Sequence, residues 1–177
     1  MTDQSEWTGK VGNVWAEEWQ RTDRSFGPLT QKLLAVARSG PFAQALDIGC
    51  GAGEISLTLA AGAPYSHVLG VDISHDLLQV ARVRGQDRPN LRFELANAAN
   101  WHAGAAERPD LVVSRHGVMF FADPTAALTH IAGQAAPGAR LAFSCFRERA
   151  DNIWARELAS IAPPGEEPAP DPEAPGP

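Results

Sequence analysis

The sequence holds only two cysteines in 177 residues, Cys50 and Cys145. Two thiols so far apart form no disulfide framework, and no Cys-x-x-Cys or Cys/His ligand spacing is present, so no metal centre is expected. Long apolar runs are missing too: nothing approaches the roughly 18 residues of a membrane span. The first ten residues are polar and acidic, without the basic flank and apolar stretch of a signal peptide. A cytoplasmic protein with no membrane span is the expectation. The chain also lacks a basic field. Lys plus Arg is 15 against 21 Asp plus Glu, a net charge of −6. Four of those acids, Glu166, Glu167, Asp171 and Glu173, lie in the last twelve residues, so the rest of the chain is nearly balanced. A protein that grips nucleic-acid phosphates needs a positive face, so nucleic acid is not an expected partner, although a nucleotide as a small ligand remains open. With 44% hydrophobic residues, the chain can bury the core of one domain.

What is present is an alternation of short apolar runs with helical spacing. The runs are Ala45–Ile48, His67–Val71, Leu91–Leu95, Leu111–Val113 and Arg140–Phe146. Helical patterns follow through Ile55 and Leu59, through Leu77, Leu78 and Ala81, and through Ala127, Leu128 and Ile131. The third of these carries Asp123 as N-cap and Pro124 at the first helical position, and Pro137-Gly138 stops it. Asp151 is placed to cap a last helix through Ile153, Trp154 and Leu158. Strands alternating with helices of about ten residues give βαβ units and a parallel sheet with helices on both faces. Residues 1–40 are expected to form an N-terminal helical cap. One stretch carries Val11, Val14, Trp15 and Trp19, and another Leu29, Leu33 and Leu34. Trp7, Trp15 and Trp19 give this leader a large apolar surface, suited either to packing on the sheet edge or to a lid over a ligand cleft. Residues 163–177 hold seven of the 14 prolines and are expected to be a solvated, disordered tail; docking of its PxxP-like pieces on a partner is the other reading.

The informative segment is Leu46-Asp47-Ile48-Gly49-Cys50-Gly51-Ala52-Gly53-Glu54, between the first strand and its helix. Three alternate glycines allow a tight turn and close approach of backbone to ligand. In an open parallel sheet, ligands bind at this end of the strands. The dinucleotide pattern requires G-x-G-x-x-G, but here the third glycine comes one residue early and Glu54, which would repel a pyrophosphate, takes its place. A nicotinamide-dependent oxidoreductase is therefore the weaker alternative. Asp47 suits a cationic group, or else bonds the amides of its own turn. Asp72, 19 residues after Gly53, is placed to accept both hydroxyls of a ribose, or else to cap the helix near Ser74. A ligand with a ribose, a cationic part and no phosphate fits, and S-adenosylmethionine has those parts.

Leu46–Gly53, with Val71-Asp-Ile-Ser74 and then Leu77 and Ala81, resembles the first and post-first motifs of class I S-adenosylmethionine-dependent methyltransferases. Asp110–Pro124 and Pro137-Gly138 resemble the small-molecule subgroup called type 11 or UbiE-like. The resemblance covers roughly residues 7–160, with residues 41–162 as the cofactor-binding methyltransferase domain. It implies a Rossmann-like three-layer α/β sandwich and methyl transfer to a small-molecule acceptor. It also implies roles. Asp47 and the backbone of Gly49, Cys50 and Gly51, with Gly53 closing the turn, hold the amino-acid end of the cofactor. Asp72 binds the ribose and Ile73 lines the adenine pocket. Asn97-Ala98 stands where the family usually has Asp-Ala facing the adenine amine, and the asparagine carbonyl can accept that bond without charge; as a plain turn residue it needs no ligand. Ser114 and Arg115 lie beside the sulfonium. His116 is a weak candidate for a general base, and a packing histidine otherwise. Cys50 has no neighbouring base and is not expected to be a nucleophile.

The family's usual sheet has seven strands, and five are legible here. The expected order is 3-2-1-4-5, with strands 6 and 7 missing and the fifth strand an exposed edge prone to self-association. Three explanations are open: a truncated chain, strands supplied by a second chain, or a shortened module that binds cofactor without catalysing. The first is the expectation, because the pattern is regular up to about residue 160.

Overall fold

A computed structural model describes residues 7–104, 106–148, 151–153 and 157. The last expected helix and the proline-rich tail lie largely or wholly outside the described residues. Two helices lead, α1 (Lys10–Glu17) and α2 (Trp19–Ala37). Then come β1 (Gln44–Ile48), α3 (Glu54–Gly62), β2 (His67–Asp72), α4 (His75–Gly85) and β3 (Leu91–Leu95). The second half holds β4 (Leu111–Arg115), a 3-10 turn (Gly117–Phe120), α5 (Pro124–Gln134) and β5 (Arg140–Ser144). All pairings are parallel, in the order β3-β2-β1-β4-β5.

The signals read from sequence act locally as expected. Asp123 accepts the Ala126 N–H at 2.9 Å and starts α5, with Pro124 at its first turn. Ser74 caps α4 through the Leu77 N–H. Four boundaries shift. Trp19 opens α2 rather than ending α1, and α2 runs on through Gly27-Pro28 instead of starting near Leu29. The fourth strand continues to Arg115, because Ser114 and Arg115 stay in register with Phe143 and Ser144. The fifth stops at Ser144, two residues short of Phe146, where pairing with β4 ends.

Strand side chains alternate between faces. Leu111, Val113, Leu33, Leu34, Ile55 and Leu59 fill the layer under α2 and α3. Leu46, Ile48, Val71, Val112 and Ile131 fill the layer under α5. Asp47 pairs in register with Gly70 and Val113, so Asp47, Asp72 and Arg115 all share the α2/α3 face at the carboxyl end of the sheet. Two strand-end groups lock the sheet to its surroundings. Asp110 accepts the Ala43 and Gln44 amides, and Arg140 donates to the carbonyls of Ala37, Gly40 and Pro41. Among the described residues β5 pairs only with β4, and Leu141 and Phe143 are about half exposed (47% and 45%).

Candidate functional site

The β1–α3 turn runs Gly49-Cys50-Gly51-Ala52-Gly53 across the carboxyl end of the sheet. Gly49 has φ +63, and a Cβ there would sit 2.7 Å from the Gly117 Cα, so the turn and the 3-10 turn after β4 touch backbone to backbone. Gly51 also has positive φ (+54) but faces open space. A side chain at that point would occupy the cleft. The Cys50 N–H donates to the Val71 carbonyl, and the Gly51 N–H to the Asp72 carboxylate at 2.7 Å. These two amides are spent on holding the turn. The segment keeps bare Cα surface open to a ligand at Gly51, and the Asp47 carboxyl beside it supplies acceptor chemistry that suits an ammonium group. Gly53 takes a left-handed φ as the cap of α3 and packs towards Phe93 and Ala81. It shapes the turn and is not among the cleft-lining residues.

Asp47 is 1% exposed, and its carboxyl accepts from the Ser56 hydroxyl at 2.5 Å. It bonds no amide of its own turn. Burial pushes its pKa up to about 7, against a smaller opposing pull from Ser56 and Arg115. Below about pH 4 the carboxyl is neutral in both folded and unfolded chain. As pH rises from 4 towards 7 the unfolded chain gives up that proton and the folded chain retains it. Stability therefore falls through this window and levels off above it. Asp47→Asn keeps the acceptor for Ser56 and deletes the buried charge. It is expected to stabilise the ligand-free chain at pH 8 by on the order of 2 kcal/mol and to flatten the stability profile between pH 4 and 7. Denaturant melts of both chains at pH 4, 6 and 8 check this. A wild-type profile that rises with pH through the window would contradict it.

Asp72 ends β2 at 8% exposure. One carboxylate oxygen accepts from the Gly51 N–H and the other from the Ser74 N–H at 2.8 Å. Burial raises its pKa, and the amides of Ser74, Gly51 and Ile73 oppose the rise. The carboxylate keeps acceptor capacity and lines the cleft. The helix-capping role belongs to Ser74 rather than to Asp72.

The cleft has a volume of about 660 Å³ and reaches from Ile73, Asn97 and Ala98 on the β2–β3 side to Arg115, His116 and Phe146 on the β4–β5 side. Asn97 is half-buried, and its side-chain oxygen accepts the Ala99 N–H at 2.9 Å, so it is a turn residue with one acceptor direction left. Ser114 does not line the cleft. It is fully buried, its hydroxyl donates to the Ile48 carbonyl at 2.7 Å, and it accepts the Val118 N–H. That hydroxyl is committed to joining the ends of β1 and β4 instead of facing a ligand. His116 does line it, with φ +67, a conformation costly for a non-glycine residue. Its ring stacks on Phe146 at 4.3 Å and meets Phe26 edge-on at 5.1 Å. Burial, with a smaller push from the Arg115 guanidinium, lowers its pKa to about 4. Cys50 is buried and its thiol is pushed well up by that burial, which removes it as a nucleophile.

Trp7, Trp15 and Trp19 all line the cleft. Two networks clamp the leader to the site, and no short sequence pattern announces either. Arg84 on α4 donates to the Ala52 carbonyl in the glycine turn, pairs with Asp23 of α2 at 2.6 Å, and lies 3.9 Å over the Trp19 ring. Arg115 pairs with Glu54 and donates to Thr30 of α2 at 2.8 Å. Glu54, half-buried, has its pKa raised by burial against the pull of that arginine. The partners are 61 and 85 positions apart in sequence, so only the topology brings them together.

Residues 45–138 match the family described as a methyltransferase domain. A curated trans-aconitate 2-methyltransferase from Methylobacterium radiotolerans is 35% identical over 120 residues, covering 68% of this chain and 44% of the relative; the chain thus spans less than half of that protein's length. Among solved structures, the N-methyltransferase NodS from Bradyrhizobium japonicum, in complex with S-adenosyl-L-homocysteine, superposes with a TM-score of 0.61. It is 22% identical and covers 75% of this chain and 65% of that one. The plantazolicin methyltransferase BpumL gives 0.64 at 18% identity, covering 86% of this chain and 64% of that one. These last two likenesses concern the fold.

Proposed function

The chain belongs to the methyltransferase-domain family, and from that premise we propose that it binds S-adenosylmethionine and transfers the methyl group to a small-molecule acceptor. The observation that carries the reading is the pair of buried carboxylates, Asp47 and Asp72, on one face of the sheet on either side of an open glycine turn. The residues fit the cofactor. The remaining acceptor capacity of Asp72 suits the ribose hydroxyls. Asp47 suits the ammonium end, and Gly51 leaves room where a Cβ would intrude. Ile73, Ala98 and Asn97 form the wall proposed for the adenine.

When bound, the cofactor supplies a methyl already activated on a sulfonium. The chain's own task is then alignment and exclusion of water. The tryptophan-bearing leader covers the cleft, and its two arginine networks hold it there. His116, uncharged near neutral pH and a weak proton acceptor, serves as wall rather than as base. No dedicated base is required if the acceptor is itself nucleophilic.

An inactive cofactor-binding module is not favoured, because the cleft extends past Arg115 to Phe146 and leaves room for an acceptor. Free thiols at Cys50 and Cys145 support a reducing, cytoplasmic setting. Among the described residues no helix is long and apolar enough to cross a membrane. The half-exposed Leu141 and Phe143 on the open strand support pairing of β5 with a second chain. The test is release of S-adenosylhomocysteine from S-adenosylmethionine with and without a panel of small acceptors. Acceptor-dependent release is expected. Cofactor binding with no release across the panel would return the inactive module to first place.

A further inference from the structure

The charged groups facing the cleft are unevenly distributed. Asp23, Asp47, Asp72 and Asp123 all line it. Arg115 is the sole Lys or Arg among the described residues that do, and it is already paired with Glu54. Asp23 is paired with Arg84, and Asp47 and Asp72 are assigned to the cofactor, so a polyanionic acceptor would meet the Asp123 carboxyl and no uncommitted cation. Negative charge on both sides of a contact costs several kcal/mol unless something neutralises it. Trans-aconitate, the tricarboxylate in the relatives' name, finds no such partner here.

The β4–β5 end of the cleft is aromatic instead. Phe26 from α2, His116 after β4 and Phe146 after β5 form one run of ring contacts, 5.1 Å edge-on and 4.3 Å stacked. Trp7 forms a second, meeting Phe120 at 4.9 Å and Trp15 at 5.5 Å. The imidazole adds no charge near neutral pH. The Trp7 indole N–H is buried without a hydrogen-bond partner among the described residues, although it lies on the cleft wall. A buried donor of that kind is normally satisfied, so it calls for an acceptor atom on whatever fills the cleft.

We infer that the acceptor is an uncharged, flat, aromatic or conjugated molecule carrying an oxygen or nitrogen, held against Phe146, His116 and Phe26, and not a polycarboxylate. The inference rests on the methyltransferase reading for the location of the acceptor end, and on the ring contacts and charge distribution for its chemistry.

The test titrates the full chain, saturated with S-adenosylhomocysteine, with 2-naphthol and separately with trans-aconitate in a calorimeter. The naphthol is expected to bind at least about tenfold more tightly than trans-aconitate. Phe146→Ala is expected to weaken naphthol by about fivefold while S-adenosylhomocysteine stays within about twofold, and Phe146→Tyr to restore it. If Phe146→Ala loses both ligands, Phe26→Ala is judged by the same criterion. Tighter trans-aconitate, no naphthol binding, or naphthol affinity unmoved by the ring deletions would overturn the inference. Failure of S-adenosylhomocysteine itself to bind counts against the cofactor reading. The same two titrations on the ligand-free chain then decide the acceptor chemistry alone.

Discussion

Asp72→Ala is expected to weaken S-adenosylhomocysteine binding by about 100-fold, some 2.7 kcal/mol. Two losses combine. The substitution removes the carboxylate proposed to take the ribose hydroxyls, bonds to a charged group worth roughly 1.5–3 kcal/mol. It also strips the Gly51 N–H of its partner, so the glycine turn loses the bond that fixes its distance from β2. Asp72→Asn separates the two effects. Its side-chain oxygen can still accept from Gly51 or Ser74, but its amide nitrogen cannot accept from a hydroxyl. Asn is therefore expected to fall between wild type and Ala. Both variants should fold, since removing a carboxyl with a burial-raised pKa also removes a desolvation cost. An affinity within about threefold of wild type for Asp72→Ala, with the chain folded, would remove the ribose from this site.

Gly49→Ala is expected to be the most damaging single methyl in the turn. The residue sits at φ +63, and the new Cβ would lie 2.7 Å from backbone, the Gly117 Cα, which no rotamer change can relieve. Positive-φ strain and overpacking together are expected to cost on the order of 4 kcal/mol. For a chain of this size that lowers the melting temperature by roughly 10 °C. Gly51→Ala is the control. It shares the positive φ but meets nothing within 4 Å, so it should cost about 1–2 kcal/mol while narrowing the cleft. Thermal melts of the two variants check the order. Equal stabilities would mean that the approach of the two turns does not govern the site.

The contrast between these glycines shows what the sequence could and could not express. Alternate glycines after an apolar run announce a turn at the end of a strand, because only that spacing spares the backbone its Cβ clashes. They do not say which glycine faces a ligand, which faces Gly117 and which, like Gly53, only caps a helix. Those assignments depend on β4 lying beside β1, a contact across 66 positions. The same limit explains Ser114. Its place at the strand end was legible, but the orientation of its hydroxyl follows from the β1–β4 register. The sheet order was readable because strand and helix alternation constrains parallel topology strongly. The Arg84–Asp23 and Arg115–Glu54–Thr30 networks were not, since isolated arginines and acids on helical faces are ordinarily solvated. Asp47 lies between these cases. Its acidity at the strand's end signalled a cation site, whereas its burial and its bond to Ser56 had no sequence signature beyond a serine nine positions on. Three tryptophans in so short a segment announced a large apolar surface, and all three line the cleft, with Trp15 still 38% exposed.

If the chain works as proposed, the carboxyl end of this sheet is a pocket for a ligand with ribose and ammonium groups and no phosphate. Calorimetric titration of the purified chain with S-adenosylhomocysteine, and in parallel with NAD, tests it most directly. The account predicts one site per chain with micromolar affinity for S-adenosylhomocysteine, weakening below about pH 7 as Asp47 takes up its proton, and no measurable heat with NAD. A folded chain that ignores S-adenosylhomocysteine, or binds NAD instead, would contradict it.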